Sequence, residues 1–443
     1  MHRSSLAPTD SGLPHSPLRF APIKLRADPT RVVLRPFNIS LDRSDGAGPS
    51  RAARLVADIL RLDAAAAERE LARVEQDFAD RHWQMDRIFE ARCDAIAAQM
   101  TLDITLLGTT RRRLIGAYFC QEYSHAAAAI MNPSMVAHPD QSGLIDGAQR
   151  FLMSVRTVGE GHISSIAFRE GLIEADGGLR LWPEGGPAMA AVIAPPRTER
   201  ADACVQIERQ AGCNLSNCVI FPVTEAQRNG LEDLRLVRFV HDDGRAEYLG
   251  TYTAYSGRAI RSELLRTRDF QRFELIPLSG RAARDKGMAL FPRMIDGRYM
   301  MIGREDGKNV TLLQSRSLTD WDSPGKRLLE PEYPWEFVQM GNCGSPIETA
   351  QGWILLTHGV GAMRKYCLGA VLLDRADPSR ILARCAEPIL TAAESDREGY
   401  VPNVVYSCGA MLVGDRLMIP YGIADSAVGF AHVKVADLLR FMR

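Results

Sequence analysis

Residues 230–235 read Gly-Leu-Glu-Asp-Leu-Arg, which sets the carboxyls of Glu232 and Asp233 side by side and within reach of Arg235. Two neighbouring acids beside a guanidinium either supply and tune a proton or form a structural ion pair. Gly159-Glu160-Gly161-His162 is a second place where an acid and a base meet, in a segment of loop composition. Cys213 and Cys218 could begin a metal site, but no second ligand pair of suitable spacing accompanies them, so no metal is expected. The nine cysteines include no C-x-x-C pair and read as reduced thiols.

The elements that must position these groups differ along the chain. Residues 1 to about 50 are rich in Pro, Ser, Arg and Asp and read as an arm that packs late or drapes over a surface. From Ser50 to Leu107 there is no Pro and no Gly, and Leu55, Ile59 and Leu62 recur at helical spacing, so two or more amphipathic helices are expected. Their apolar face needs covering, by the body of the protein or by a second copy in a homo-oligomer. After about residue 110 short apolar runs alternate with turns, as in β-hairpins. Five such segments place their turns at Asp146-Gly147, Asp243-Gly244, Asp296-Gly297, Gln351-Gly352 and Gly414-Asp415. The last four recur at roughly 50 to 65 residues, enough for one four-stranded sheet apiece. The pattern predicts an all-β, five-bladed β-propeller over residues 108–443, with an N-terminal arm and helical extension over 1–107. Polar residues bounding the innermost strands then converge on one axial pocket.

Composition removes several classes of function. Lysine plus arginine and aspartate plus glutamate each number 54, so the basic footprint of a nucleic-acid binder is missing. The first twenty residues hold three prolines and no signal-peptide core, and no stretch resembles a membrane span, which places the expected protein in the cytoplasm.

Gly-x-Glu-Asp-x-Arg at 230–235 resembles the acid motif of glycoside hydrolase family 130, the β-mannoside phosphorylases and β-1,2-mannosidases, with Leu234 where the family usually has Pro. Further matches follow in the family's order from about residue 131. They include Asn132-Pro133, Ser154-Val155-Arg156, the run Thr251 to Tyr255, Asp285-Lys286 and Gly303-Arg304. His358-Gly359-Val360 and the run Tyr421 to Asp425 extend the match through the C-terminal half. The resemblance implies that Asp233 is the general acid, passing its proton through a sugar hydroxyl, and that attack on the anomeric carbon inverts configuration. Glu232 would tune that acid or bind a hydroxyl. Asn132, Arg156, Arg235, Tyr255, His358 and Asp425 match positions that line the family's sugar pocket.

The nucleophile is where the chain departs from the phosphorylases. The resemblance puts phosphate-holding cations at Lys286, at Arg304 and after Pro346-Ile347, and the third position is Glu348. A carboxylate there repels a dianion and can instead take a proton from water, and Glu305, directly after Arg304, is a second candidate base. The expected activity is therefore an inverting, exo-acting β-mannosidase on short β-mannosides, β-1,2-linked by the same resemblance, with no cofactor. The alternative is a β-mannoside phosphorylase that uses inorganic phosphate as co-substrate and releases mannose 1-phosphate. A catalytically silent carbohydrate-binding propeller is the reading from a different class.

Overall fold

The computed structural model of the chain describes residues 13, 15–40, 48–194 and 204–442. They fall into two compact units: Met1–Pro29 with Ala126–Gly185 and Ala191–Arg443, and Thr30–His125 with Gly186–Ala190. Among the described residues no helix is long and apolar enough to cross a membrane.

In the smaller unit the helices Arg51–Arg61 and Ala64–Phe78 begin where the sequence supplies caps. Ser50 Oγ accepts from the Ala53 amide at 3.1 Å, and an Asp63 carboxylate oxygen accepts from Ala66 at 2.7 Å. A third helix, Met85–Met100, completes the expected helical stretch. A fourth, Thr109–Tyr118, lies where strands were expected to begin. Its arginine-rich start masks a buried face of Leu114 and Ile115, which joins Val56, Ile59 and Ile96 in one apolar cluster. Gly116 lets this helix touch the previous one, since a Cβ there would stand 1.8 Å from the Phe89 carbonyl oxygen. Val32–Pro36 and Cys120–Ser124 pair antiparallel in the same unit.

The larger unit is built from five antiparallel groups, and each of the five expected hairpins is present. The first group is Ala129–Ala137, Gln149–Val158, Ser164–Ile173 and Leu179–Leu181. Gly230–Val240, Ala246–Tyr255, Ile260–Thr267 and Arg272–Pro277 form the second, which Val205–Glu208 extends at its edge. The third contains Ala289–Leu290, Tyr299–Gly303, Val310–Ser315 and Lys326–Leu329. In the fourth, Gln339–Asn342 and Ile347–Thr349 both pair with Gly352–Val360, followed by Tyr366–Leu373 and Ile381–Arg384. The fifth runs from Val405–Tyr406 and Met411–Val413 to Arg416–Ile423 and Ala427–Lys434.

Its outer strand is Arg19–Arg26, paired antiparallel with Ala427–Lys434. This corrects the expectation of a loosely draped arm: the segment supplies an edge strand from the opposite end of the chain. A pairing across some four hundred residues leaves no local signature, because backbone hydrogen bonds carry it. Val32–Pro36 is a second strand within that arm, and residues 1–12, 14 and 41–47 of it lie outside the described residues.

Apolar side chains join successive groups. Phe239, Leu249, Leu290 and Met301 cluster between the second and third, and Phe291, Ile302, Trp353 and Leu355 between the third and fourth. Leu356, Leu368, Ile419 and Tyr421 link the fourth to the fifth, while Met153, Val155, Met418 and Phe430 link the fifth back to the first. The first meets the second through the parallel pair Ser164 and Gly230 and through the stacked rings of Phe168 and Phe273, 5.9 Å apart. Full burial of each such side chain contributes about 1.5–3 kcal/mol, so the inter-group layers hold the polar strand ends in place.

Candidate active site

Those strand ends enclose a cavity of about 180 Å³ whose lining includes Asn132, Arg156, Asp233, Arg235, Lys286, Arg304, His358 and Asp425. Three of these residues reach it through unusual backbone. Asn132, Asp233 and Asp425 are non-glycine residues in the left-handed region, with φ of 52°, 57° and 52°. Asn132 sits where strand register shifts between Met131 and Ser134, and Asp233 where it shifts between Glu232 and Arg235. A bulge breaks the alternation of faces and re-aims a side chain, which is how consecutive residues 232 and 233 both come to serve one centre.

Asp233 accepts hydrogen bonds from the Asn132 amide and from Arg156 Nη1, the latter at 3.2 Å. Arg156 also donates to Glu232 at 2.7 Å and, through Nε, to Ser164 Oγ at 2.9 Å. Arg235 is 3% exposed and holds the floor together. Its Nη1 donates to the Asn342 side chain at 2.6 Å and its Nη2 to the Tyr406 hydroxyl at 2.7 Å. The Asn342 amide in turn donates to the Gly287 carbonyl at 2.5 Å. His358 Nδ1 lies 3.2 Å from the Asn342 carbonyl and so carries its proton there. Gly341 makes room for that imidazole, since a Cβ would approach His358 Cε1 to 2.5 Å.

The electrostatics divide the carboxyls. Burial alone would raise the Asp233 pKa, but Arg156, Lys286 and Arg235, with the Asn132 hydrogen bond, hold it below the usual carboxylate range. Glu232 is pushed up by burial against the pull of Arg156, with the charge of Asp233 adding to the rise. Asp425 is pushed up to about 6 by burial, opposed by Arg156 and assisted by Asp233. Burial, together with Arg304 and Arg235, lowers His358 well below its ordinary value, so it is neutral.

Two cations of the lining have no close ion-pair partner. Neither Lys286 nor Arg304 forms an ion pair within 4 Å among the described residues, although the charge of Lys286 acts on Asp233 and Glu232, and the buried Arg304 Nε has no hydrogen-bond partner. A guanidinium N–H without a partner and an ammonium without a close carboxylate, lining one cavity, can take an anion.

Most of the residues expected from the sequence thus converge, with Glu232 standing behind Arg156. Four do not line the cavity: Glu232, which is held by Arg156 at its edge, and three that lie elsewhere. Tyr255 directs its hydroxyl to the Gly257 carbonyl at 3.4 Å. Glu305 is exposed and accepts from the Gly325 amide at 3.3 Å. Glu348 is gripped by Arg293, at 2.9 and 2.8 Å, and by Arg375 at 2.9 Å, and it borders a different, apolar cavity with Pro292, Ile347 and Met411. The expectation that Glu348 or Glu305 activates water at the acid therefore loses its geometric basis. The physical reason is pairing: Glu348 stands opposite Trp353, whose ring Arg293 covers at 5.0 Å, and that guanidinium claims the carboxylate.

Asn342, Tyr406, Gln339, Arg364 and Tyr366 line the cavity and were not anticipated. Gly341-Asn342-Cys343-Gly344, a polar residue in a glycine-flanked strand, was the signal available for Asn342. Among the described residues no cluster of three or more His, Cys, Asp or Glu could hold a metal ion.

Comparison with known proteins agrees with this picture. The family model Glyco_hydro_130, described as beta-1,4-mannooligosaccharide phosphorylase, matches residues 213–443. A 1,2-beta-oligomannan phosphorylase of Thermoanaerobacter sp. is 35% identical over 226 residues, covering 48% of this chain and 72% of that protein. A beta-1,2-mannobiose phosphorylase of Listeria innocua is 32% identical over 228 residues, covering 50% of this chain and 62% of that protein. A glycosyl hydrolase from Bacteroides ovatus has a solved structure that overlays with a TM-score of 0.51 at 19% identity, covering 71% of this chain and 87% of that one. A solved structure from work on family 130 hydrolases that target beta-1,2 mannosidic linkages in Candida mannan gives a TM-score of 0.52 at 20% identity, with coverage of 71% and 87%. These two overlays speak to the fold.

Proposed function

The chain belongs to glycoside hydrolase family 130, and on that premise we propose that it is an inverting β-mannoside phosphorylase acting first on β-1,2-linked mannosides. The observation that carries this reading is the pair of cations without a close ion-pair partner, Lys286 and Arg304, on the wall of the cavity that holds Asp233. The preference for hydrolysis rested on Glu348 and Glu305, and neither lines that cavity.

In the proposed reaction a phosphate oxygen held by Lys286 and Arg304 attacks the anomeric carbon, the bond to the leaving oxygen breaks, and the proton from Asp233 reaches that oxygen. Mannose 1-phosphate and a shortened acceptor result, with inverted configuration. Arg156, Lys286 and Arg235 hold Asp233 ionised. A bound phosphate dianion cancels the charge of Lys286 and raises the affinity of Asp233 for its proton, so nucleophile binding loads the acid. Arg156, Asp425 and neutral His358 offer the donors and acceptors that a mannosyl ring requires.

Five antiparallel groups, each packed on the next and the last on the first, support a five-bladed propeller for the catalytic unit, with the cavity on its axis. The helical unit leaves Phe37, Trp83 and Leu106 exposed at 43%, 60% and 91%, which supports self-association through that unit.

Incubation with β-1,2- and β-1,4-mannobiose, with and without phosphate, tests the reaction. Phosphate-dependent release of mannose 1-phosphate is expected, faster from the β-1,2 substrate. Free mannose formed at the same rate without phosphate restores the hydrolase.

A further inference from the structure

The segment Gly159-Glu160-Gly161-His162 has no part in the cavity lining, yet its geometry is costly. Gly161 and His162 are both left-handed, with φ of 68° and 57°, in the turn that joins Gln149–Val158 to Ser164–Ile173. A non-glycine residue in this region is uncommon, and here it turns the His162 side chain toward Tyr400. The exposed His162 Nδ1 lies 2.8 Å from the hydroxyl of Tyr400, a residue 45% exposed and 238 positions away in sequence. The two rings stand 6.1 Å apart, inclined at 39°.

Both residues are tied to the cavity wall behind them. The Tyr400 amide donates to Ser426 Oγ at 2.6 Å, next to Asp425, and Ser164, two residues after His162, accepts from Arg156. The pair therefore continues outward from Arg156 and Asp425. It is an amphipathic aromatic pair, joined by a hydrogen bond and a ring contact, at the solvent boundary.

Displacement with inversion puts nucleophile and leaving group on opposite faces of the sugar ring. Lys286 and Arg304 flank strands of the third group, while His162 belongs to the first and Tyr400 leads into the fifth. In a ring of five groups the junction of the fifth and first lies across from the third. We infer that His162 and Tyr400 form the platform for the leaving sugar, a hexopyranose whose C–H face rests on the Tyr400 ring while His162 Nε2 donates to one of its hydroxyls. The proposal requires the tautomer in which the phenol donates to Nδ1 and Nε2 carries the proton. The direction of this assignment rests on the phosphorylase reading, which places the nucleophile at the two cations.

Synthesis from mannose 1-phosphate and mannose separates the two substrates. Tyr400→Ala should raise the KM for the acceptor about tenfold and leave the KM for mannose 1-phosphate within about twofold. Tyr400→Phe keeps the ring and should show a smaller rise, and His162→Ala should follow Tyr400→Ala. Unchanged acceptor KM, or equal rises for both substrates, overturns the platform. Calorimetry of β-1,2-mannobiose against mannose needs no turnover and separates the two failures. If the wild-type protein binds the disaccharide more tightly than mannose but makes no mannose 1-phosphate, the phosphorylase reading fails. The platform then stands if Tyr400→Ala abolishes the disaccharide's advantage, and falls if the advantage persists.

Discussion

Replacing Glu348 by Gln tests the electrostatic assignment most directly, because it neutralises the first of the two carboxylates on which a water-activating reading depended. In the structure Glu348 takes three hydrogen bonds of 2.8 to 2.9 Å from Arg293 and Arg375, whose side chains are 36% and 60% exposed. Ion pairs this open to solvent contribute about 0.2–1 kcal/mol each, so losing both costs about 1 kcal/mol and lowers Tm by roughly 1 °C. The hydrogen bond from Arg293 holds the Glu348 carboxyl below the usual range, against burial and with help from Arg375. A depressed native pKa means that this stability is fully present above the unfolded value of about 4.3 and is lost as pH falls through the native one. The gap in Tm between wild type and Glu348→Gln should thus be constant above pH 5 and close below about pH 4. Calorimetric melts across that range, paired with phosphorolysis rates, provide the assay. Turnover should stay within about twofold, because the side chain does not reach the cavity of Asp233. A folded variant that loses about a hundredfold or more in turnover would refute the reasoning and return Glu348 to the role of base.

Lys286→Met removes a cation with no ion-pair partner, so the KM for phosphate should rise at least about tenfold while the protein melts near the wild-type temperature. Asp233→Asn should lower kcat by about 10² to 10⁴ without loss of fold, checked by single-turnover measurement of mannose 1-phosphate. Asp425, pushed up to about 6 mainly by burial, is destabilising in its charged form, and that cost appears as pH rises from about 4 through 6. Asp425→Asn should therefore gain about 3 kcal/mol of stability over wild type at pH 8 and little at pH 4, measured by denaturant unfolding, while sugar binding weakens.

What the sequence determined was local or carried by residue type. The five hairpins were legible because turn chemistry and period-two alternation are properties of neighbouring residues, and the capped helices after Ser50 for the same reason. The paired acids Glu232 and Asp233 could be singled out because charge is written in the residue type, and Lys286 and Arg304 because the order of motifs resembles a known family's. Three things waited on the tertiary structure. The strand Arg19–Arg26 closes a sheet from the far end of the chain, and backbone pairing leaves no mark in side-chain pattern. Thr109–Tyr118 is helical because its Leu114 and Ile115 face a cluster that other helices supply. Above all, the meaning of Glu348 depended on its partner: the same carboxylate is a base beside a bound water and a structural anion between Arg293 and Arg375. Which of these it is follows from where Trp353 and Arg293 stand around it, and distances between residues far apart in the chain are set only when the sheets pack.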